Sequence, residues 1–225
     1  GPPPHRCSPG RSRPPAPRAP LRLAVLQSAG WAKASDGARA AFEAACGQLS
    51  SAGVARTGRE ADPAIEAMEQ SLGDMEARVP FALDWEMRWP LGGYRRLNPG
   101  KVSQTMLDRL AANEAGMDLD GYNDILAWRL GLRAQYARLA ERSDGCVMLA
   151  ATGQAPEGLD WTGDPNMNIP GSTLGVPACA IPGLSDRGLP LGLQFMGFAH
   201  QDRALMEMAE WGWRLFGAPF REAAL

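Results

Sequence analysis

The stretch APEGLDWTGDPNMNIPGSTLGVPACAIPGLSDRGLPLGLQFMG, from Ala155 to Gly197, decides how this chain folds. It is rich in Gly and Pro without being low-complexity. Val176–Ile181 and Leu191–Met196 predict two short buried strands. Pro182–Pro190 supplies turn chemistry between them. Ahead of the strands, Asp160–Thr173 reads as a polar loop holding Trp161, Asp164, Asn166 and Asn168. Long ordered loops that feed paired core strands often line a site.

Working outward, 225 residues suffice for a substantial core. A 45% apolar and 21% charged composition is that of a globular protein. The net charge of −2 provides no overall basic field, which argues against a nucleic-acid partner. No apolar run reaches the ~18–20 residues of a membrane span, and no apolar leader is evident at the N-terminus. Cys7, Cys46, Cys146 and Cys179 form no C-x-x-C pair, so a reduced, cytoplasmic chain is expected. With only His5 and His200 present, neither a His-based zinc site nor a Ser-His-Asp triad is supported. No cofactor and no metal are implied.

Residues 1–20 hold eight of the 19 prolines together with Arg6, Arg11, Arg13 and Arg18, and predict a disordered or extended tail. Residues 21–225 then read as one domain. Leu21–Gln27 predicts the first strand, and Ser35 or Asp36 caps a helix to about Ser51 with Ala38, Phe42, Ala45 and Leu49 on its inner face. Ser50-Ser-Ala-Gly53 sits where that helix ends and predicts a C-terminal cap rather than a nucleophile loop. Asp62-Pro63 starts a helix that buries Ile65, Met68 and Leu72. Val79–Trp89 reads either as a helix or as an irregular apolar segment, ended by Pro90-Leu-Gly-Gly93. Ser103–Ala115 predicts a helix, and Asp118–Arg142 the longest one, with Ile125, Trp128, Leu132, Tyr136 and Leu139 in a stripe. Cys146–Ala150 predicts a buried strand, and a last helix begins at Gln201-Asp202. Helices alternating with apolar strands imply an α/β fold, layered α/β/α around a mixed β-sheet.

Ala155–Leu159, Thr162-Gly-Asp164, Asn168-x-Pro170, Leu174-Gly-Val-Pro177 and Gly188-Leu-Pro-Leu-Gly-Leu-Gln194 together resemble the C-terminal half of amidase signature enzymes. The upstream Leu21–Leu26, Gly30-Trp31 and the Ala-rich helix after them extend the resemblance to about residues 20–217. It implies hydrolysis or transfer of carboxamides through an acyl-serine, with no metal. In that family a Lys deprotonates the nucleophilic Ser through a second Ser, all within a Gly/Ser-rich segment of the N-terminal half. No such segment occurs here, and neither Lys33 nor Lys101 lies in a matching context, so no catalytic residue is assigned. The resemblance places part of the wall around the acyl group in this half. On that expectation Trp161, Met167 and Asn168 line the pocket for a small-molecule amide. Asn168 would hydrogen-bond a carbonyl or amide, and Trp161 and Met167 would supply apolar contact. The competing roles are structural: Trp161 packing its own loop, and Asn168 capping a turn before Thr173.

Three functions follow from different classes. The first is an amidase portion without its nucleophile, inactive alone. The second is a non-catalytic fragment or pseudoenzyme that binds or assembles, with an exposed sheet edge inviting homodimers or aggregates. The third is one subunit of a glutamine-dependent amidotransferase.

Overall fold

The computed structural model describes residues 16–116 and 118–217. Most of the tail expected at residues 1–20, with His5 and Cys7, lies outside the described residues. The chain runs β1 (Arg22–Val25), α1 (Asp36–Ser51), β2 (Ala55–Thr57), α2 (Pro63–Gly73), α3 (Met75–Leu97), α4 (Gln104–Gly116), α5 (Leu119–Ala137), β3 (Gly145–Leu149), α6 (Ile169–Leu174), β4 (Ala178–Asp186), β5 (Leu189–Met196) and α7 (Asp202–Phe216). Short 3-10 turns at Ala29–Lys33, Pro99–Lys101, Arg138–Glu141 and Pro165–Met167 connect them.

The five strands form one mixed sheet in the order β2-β1-β3-β5-β4. β1 is parallel to both β2 and β3, while β5 is antiparallel to both β3 and β4. Phe195 and Ile181 point to the face covered by α7, where they meet Gly212. Gln194 and Met196 point to the opposite face, toward the Met167 carbonyl and Gly171 of α6. α1 crosses the sheet against β2, β3 and β4. The architecture is therefore the expected layered α/β/α sandwich around a mixed sheet.

Local chemistry explains most of the boundaries. The Ser35 hydroxyl accepts from Ala38 N at 3.0 Å and starts α1, whose Ala38, Phe42, Ala45 and Leu49 are completely buried. Asp62 accepts from Ala64 N at 2.9 Å with Pro63 at the first helical position, and Asp118 accepts from Gly121 N at 2.6 Å ahead of α5. Gly53, at φ 86°, ends α1 as a cap; Ser51 Oγ donates back to Gly47 O at 3.1 Å. Cys46, Cys146 and Cys179 are free thiols. Burial pushes the Cys146 thiol up to about 12, so it is no nucleophile near neutral pH.

Four expectations need correction. Pro90-Leu-Gly-Gly93 does not end a helix: α3 runs 23 residues through both Pro80 and Pro90, and it, not the 19-residue α5, is the longest. Each proline removes one backbone bond. Pro90 and Glu86, whose carbonyl loses its partner, are solvent-exposed, and packing on α4 and α5 holds the helix, including a Trp85–Tyr122 stack at 5.3 Å. The turn expected over Pro182–Pro190 shrinks to Arg187-Gly188, because β4 continues past Pro182 with a bulge before Leu184. Pro is tolerated there because β4 is an edge strand. Arg187 and Gly188 have φ of 50° and 84°, the double left-handed conformation that matches hairpin twist. The loop expected over Asp160–Thr173 contains α6, with Pro170 in its first turn and Gly175 (φ 65°) closing it. β2, a three-residue and largely exposed edge strand, was not expected at all, since Ala-Arg-Thr carries no strand pattern.

Gly212 is where α7 meets the sheet. A Cβ there would lie 2.7 Å from the Phe195 ring and 2.9 Å from Ile181 Cδ1. Gly212→Ala would gain about 1 kcal/mol of helix propensity but forces overpacking of about 1–3 kcal/mol. The variant is expected to melt below the wild type by calorimetry, the reverse of what propensity alone predicts.

Candidate functional site

β1 and β3 are parallel, so their carboxyl ends lie on one side of the sheet. The chain leaving β1 turns at Ala29–Lys33, and the chain leaving β3 runs on as a strap through Ala151–Pro156. The tip of the β4–β5 hairpin closes the third side. Between them lies a cavity of about 620 Å³. In α/β sheets the crevice outside the carboxyl ends of parallel strands is the usual ligand site, and the volume suits a small molecule.

One buried carboxylate holds the three sides together. Asp186 Oδ2 accepts from Ser35 Oγ at 2.6 Å and from Gln154 N at 3.1 Å. Ser35 N in turn donates to Thr152 O at 2.8 Å. Gly37 and Gly153 make room: Cβ atoms there would stand 2.1 Å from Asp186 Oδ1 and 3.0 Å from Oδ2. The Ser35 hydroxyl, and after it the Gln154 N–H, holds the Asp186 carboxyl below its usual range.

A second cluster forms the rim. Lys33 pairs with Glu76 of α3 and with Asp164 at 3.0 Å. The bond to Glu76, then the bond to Asp164, raises the Lys33 pKa, so it stays an ammonium. For Asp164, partial burial pushes upward, but the Asn166 N–H and the Lys33 ammonium outweigh it and hold the acid low. Asp164 Oδ1 also accepts from Asn166 N at 2.8 Å, which shapes the turn at Pro165–Met167.

Of the residues expected at the site, Trp161 and Asn168 both line the cavity. Trp161 is 60% exposed. The Asn168 side chain is exposed and caps neither neighbouring turn. Met167 lies behind the wall in the core, at 1% exposure, with its sulfur 3.4 Å from Ser28 Oγ. It leaves no room for a side chain at Gly30, where a Cβ would sit 3.1 Å from the sulfur. The Met167 carbonyl accepts from Gln194 Nε2 at 3.2 Å. Lys33, Ser35, Asp186 and Arg187 also line the cavity, and sequence reasoning did not place them there, whereas Asp164 lines it as part of the expected Asp160–Thr173 loop. Asp164-Pro-Asn166 is a local turn motif, which is why Asp164 was legible from the sequence and the other four were not. His200 is exposed and follows β5, which runs away from the cavity.

Ser35 donates to a carboxylate held low, which is a poor base, and Lys33 is fully protonated and paired. Acid should undo the Asp186 junction. Its folded pKa lies below the unfolded one, so its contribution is present above the unfolded pKa and fades as pH falls through the folded value. Asp186→Asn is expected to melt lower than wild type at neutral pH. Between about pH 6 and about pH 3 its thermal midpoint should fall less steeply than the wild-type midpoint.

No protein-family model matches the chain. A 38-residue segment is 58% identical to one subunit (the one designated A) of the mitochondrial glutamyl-tRNA(Gln) amidotransferase of Xenopus laevis, covering 16% of this chain and 7% of that protein. The crystal structure of an amidase superposes with a TM-score of 0.70 at 20% identity, over 88% of this chain and 46% of that one. A bacterial aryl acylamidase belonging to the amidase signature family superposes with a TM-score of 0.65 at 12% identity, over 88% of this chain and 44% of its own. The chain thus spans less than half the length of these solved proteins. The α/β/α sandwich built around Ala155–Gly197 is the fold of amidase signature enzymes, over the part of that fold that this chain spans.

Proposed function

We propose that the cavity is the binding wall of an amidase that acts on carbon–nitrogen bonds of small carboxamides. The observation that carries this is the position of the cavity: outside the carboxyl ends of β1 and β3, in an amidase-signature fold, with Asn168 and Trp161 both in its lining. Asn168 hydrogen-bonds the substrate amide and Trp161 packs its apolar part. The reaction is acyl transfer to a serine, release of ammonia or amine, then attack by water. This chain's residues orient the amide; none of Ser35, Ser50 and Ser51 has an effective base beside it, since the one carboxylate next to Ser35 is held low. Ser35 is bonded to Asp186, and Ser50 Oγ accepts from Arg56 Nε at 2.8 Å. Orientation without a nucleophile yields little rate. The chain alone is therefore inactive.

The 38-residue match to an amidotransferase subunit favours a second reading, in which the bound amide is glutamine and the chain works with partner subunits. A third, a non-catalytic assembly module, would use the nine-residue edge strand β4.

Purified chain should release no ammonia above background from aliphatic or aryl amides. Turnover that disappears in Ser35→Ala would overturn the binding-wall assignment. Hexanamide should raise the thermal midpoint of wild type and not of Asn168→Ala. A rise with glutamine but not hexanamide would favour the amidotransferase reading, and self-association by light scattering would favour the assembly module.

A further inference from the structure

Four ionisable side chains line the cavity: Lys33, Asp164, Asp186 and Arg187. Three of them already have protein partners. Lys33 is shared between Asp164 and Glu76. Asp186 turns inward, with Oδ2 bonded to Ser35 and Gln154 and Oδ1 buried over Gly37 without a hydrogen-bond partner among the described residues. Arg187 is exposed and has no hydrogen bond or ion pair among the described residues; the adjoining Asp186 charge acts on it only through space. Its backbone is also unusual. Arg187 occupies the first position of the hairpin turn at φ 50°, where Gly, Asn or Asp fits with least strain. Non-glycine residues held in the left-handed region cluster at ligand clamps. The guanidinium is a planar fork that matches a carboxylate with two parallel hydrogen bonds.

We propose that Arg187 makes this pocket select amides that carry a carboxylate remote from the amide bond. The selection rests on the cavity being an amide site, as proposed above. Arg187 is held at the mouth by the hairpin tip, while the Trp161 and Asn168 side receives the amide end. The ligand bridges the two, so its charge meets the cation that the protein leaves unpaired. Lys33 cannot take that role without losing Asp164 and Glu76.

The probes are adipamate, a monoamide with a free carboxylate, and hexanamide, which has the same chain length without it. Calorimetric titration of the whole chain should show adipamate binding about tenfold or more tighter than hexanamide, the effect of a charge-assisted pair. Arg187→Asn should bring adipamate down to the level of hexanamide. It should also raise the thermal midpoint by about 2–4 °C, since Asn relieves the backbone strain. Equal binding of the two ligands to wild type, or a preference that survives in Arg187→Asn, overturns the role of Arg187 alone. A lower midpoint in that variant also overturns it, because Arg187 is then a structural residue of the hairpin. Binding of neither ligand overturns the amide assignment of the cavity, and this proposal with it.

Discussion

The carboxylate of Asp186 is where three separate pieces of chain meet, and the geometry of the cavity depends on that junction. Through Ser35 it reaches the start of α1, and through Gln154 N it reaches the strap after β3. It is carried there by the last residue of β4. A buried carboxylate is tolerable only where donors surround it. Here a hydroxyl and an amide N–H serve Oδ2, while Oδ1 lies buried without a hydrogen-bond partner among the described residues, against Gly37 in the first turn of the 16-residue α1, whose dipole favours its charge. Gly37 and Gly153 belong to the same device, since a side chain at Gly37 would evict the carboxylate and one at Gly153 would crowd it against Ser35.

Beneath the junction the sheet works as a two-sided platform. β5 is central: it pairs with β3 on one side and β4 on the other, and its alternation sends Phe195 to α7 and Gln194 to the floor of the cavity. Gln194 is a polar residue in the interior, yet it is satisfied by the Met167 carbonyl. The same strand therefore supplies core on one face and support for the site on the other. This explains why Met167, though it lines nothing, matters to the position of Asn168 next to it.

How much of this was legible in the residues follows from the range of each interaction. The caps at Ser35, Asp62 and Asp118 act over two or three residues, and so do the inner faces of α1 and α2; all were readable. Pro80 and Pro90 misled because tertiary packing on α4 and α5 overrode a local breaker. The hairpin tip was blurred because Pro182 looks like a turn residue until the strand is known to be an edge. At the site, Trp161 and Asn168 were visible within one polar loop. Asp186 was not, since its partner Ser35 stands 151 positions away, and Lys33 reaches Glu76 across 43. Met167 reads as apolar lining in sequence, and only the Ser28 and Gly30 contacts reveal it as core.

The cavity is held by two kinds of attachment that answer differently to the solvent. Its floor rests on buried, uncharged hydrogen bonds: Gln194 to the Met167 carbonyl at 3.2 Å, and Ser28 to the Asn166 carbonyl at 3.0 Å. Its rim rests on Lys33, 43% exposed, bridging Glu76 and Asp164. Mobile ions screen the second and hardly touch the first. Rising ionic strength would therefore loosen the lip that joins α3 to the Asp164 turn while the floor keeps its shape. The mouth becomes salt-tunable, its width following the medium rather than the fold.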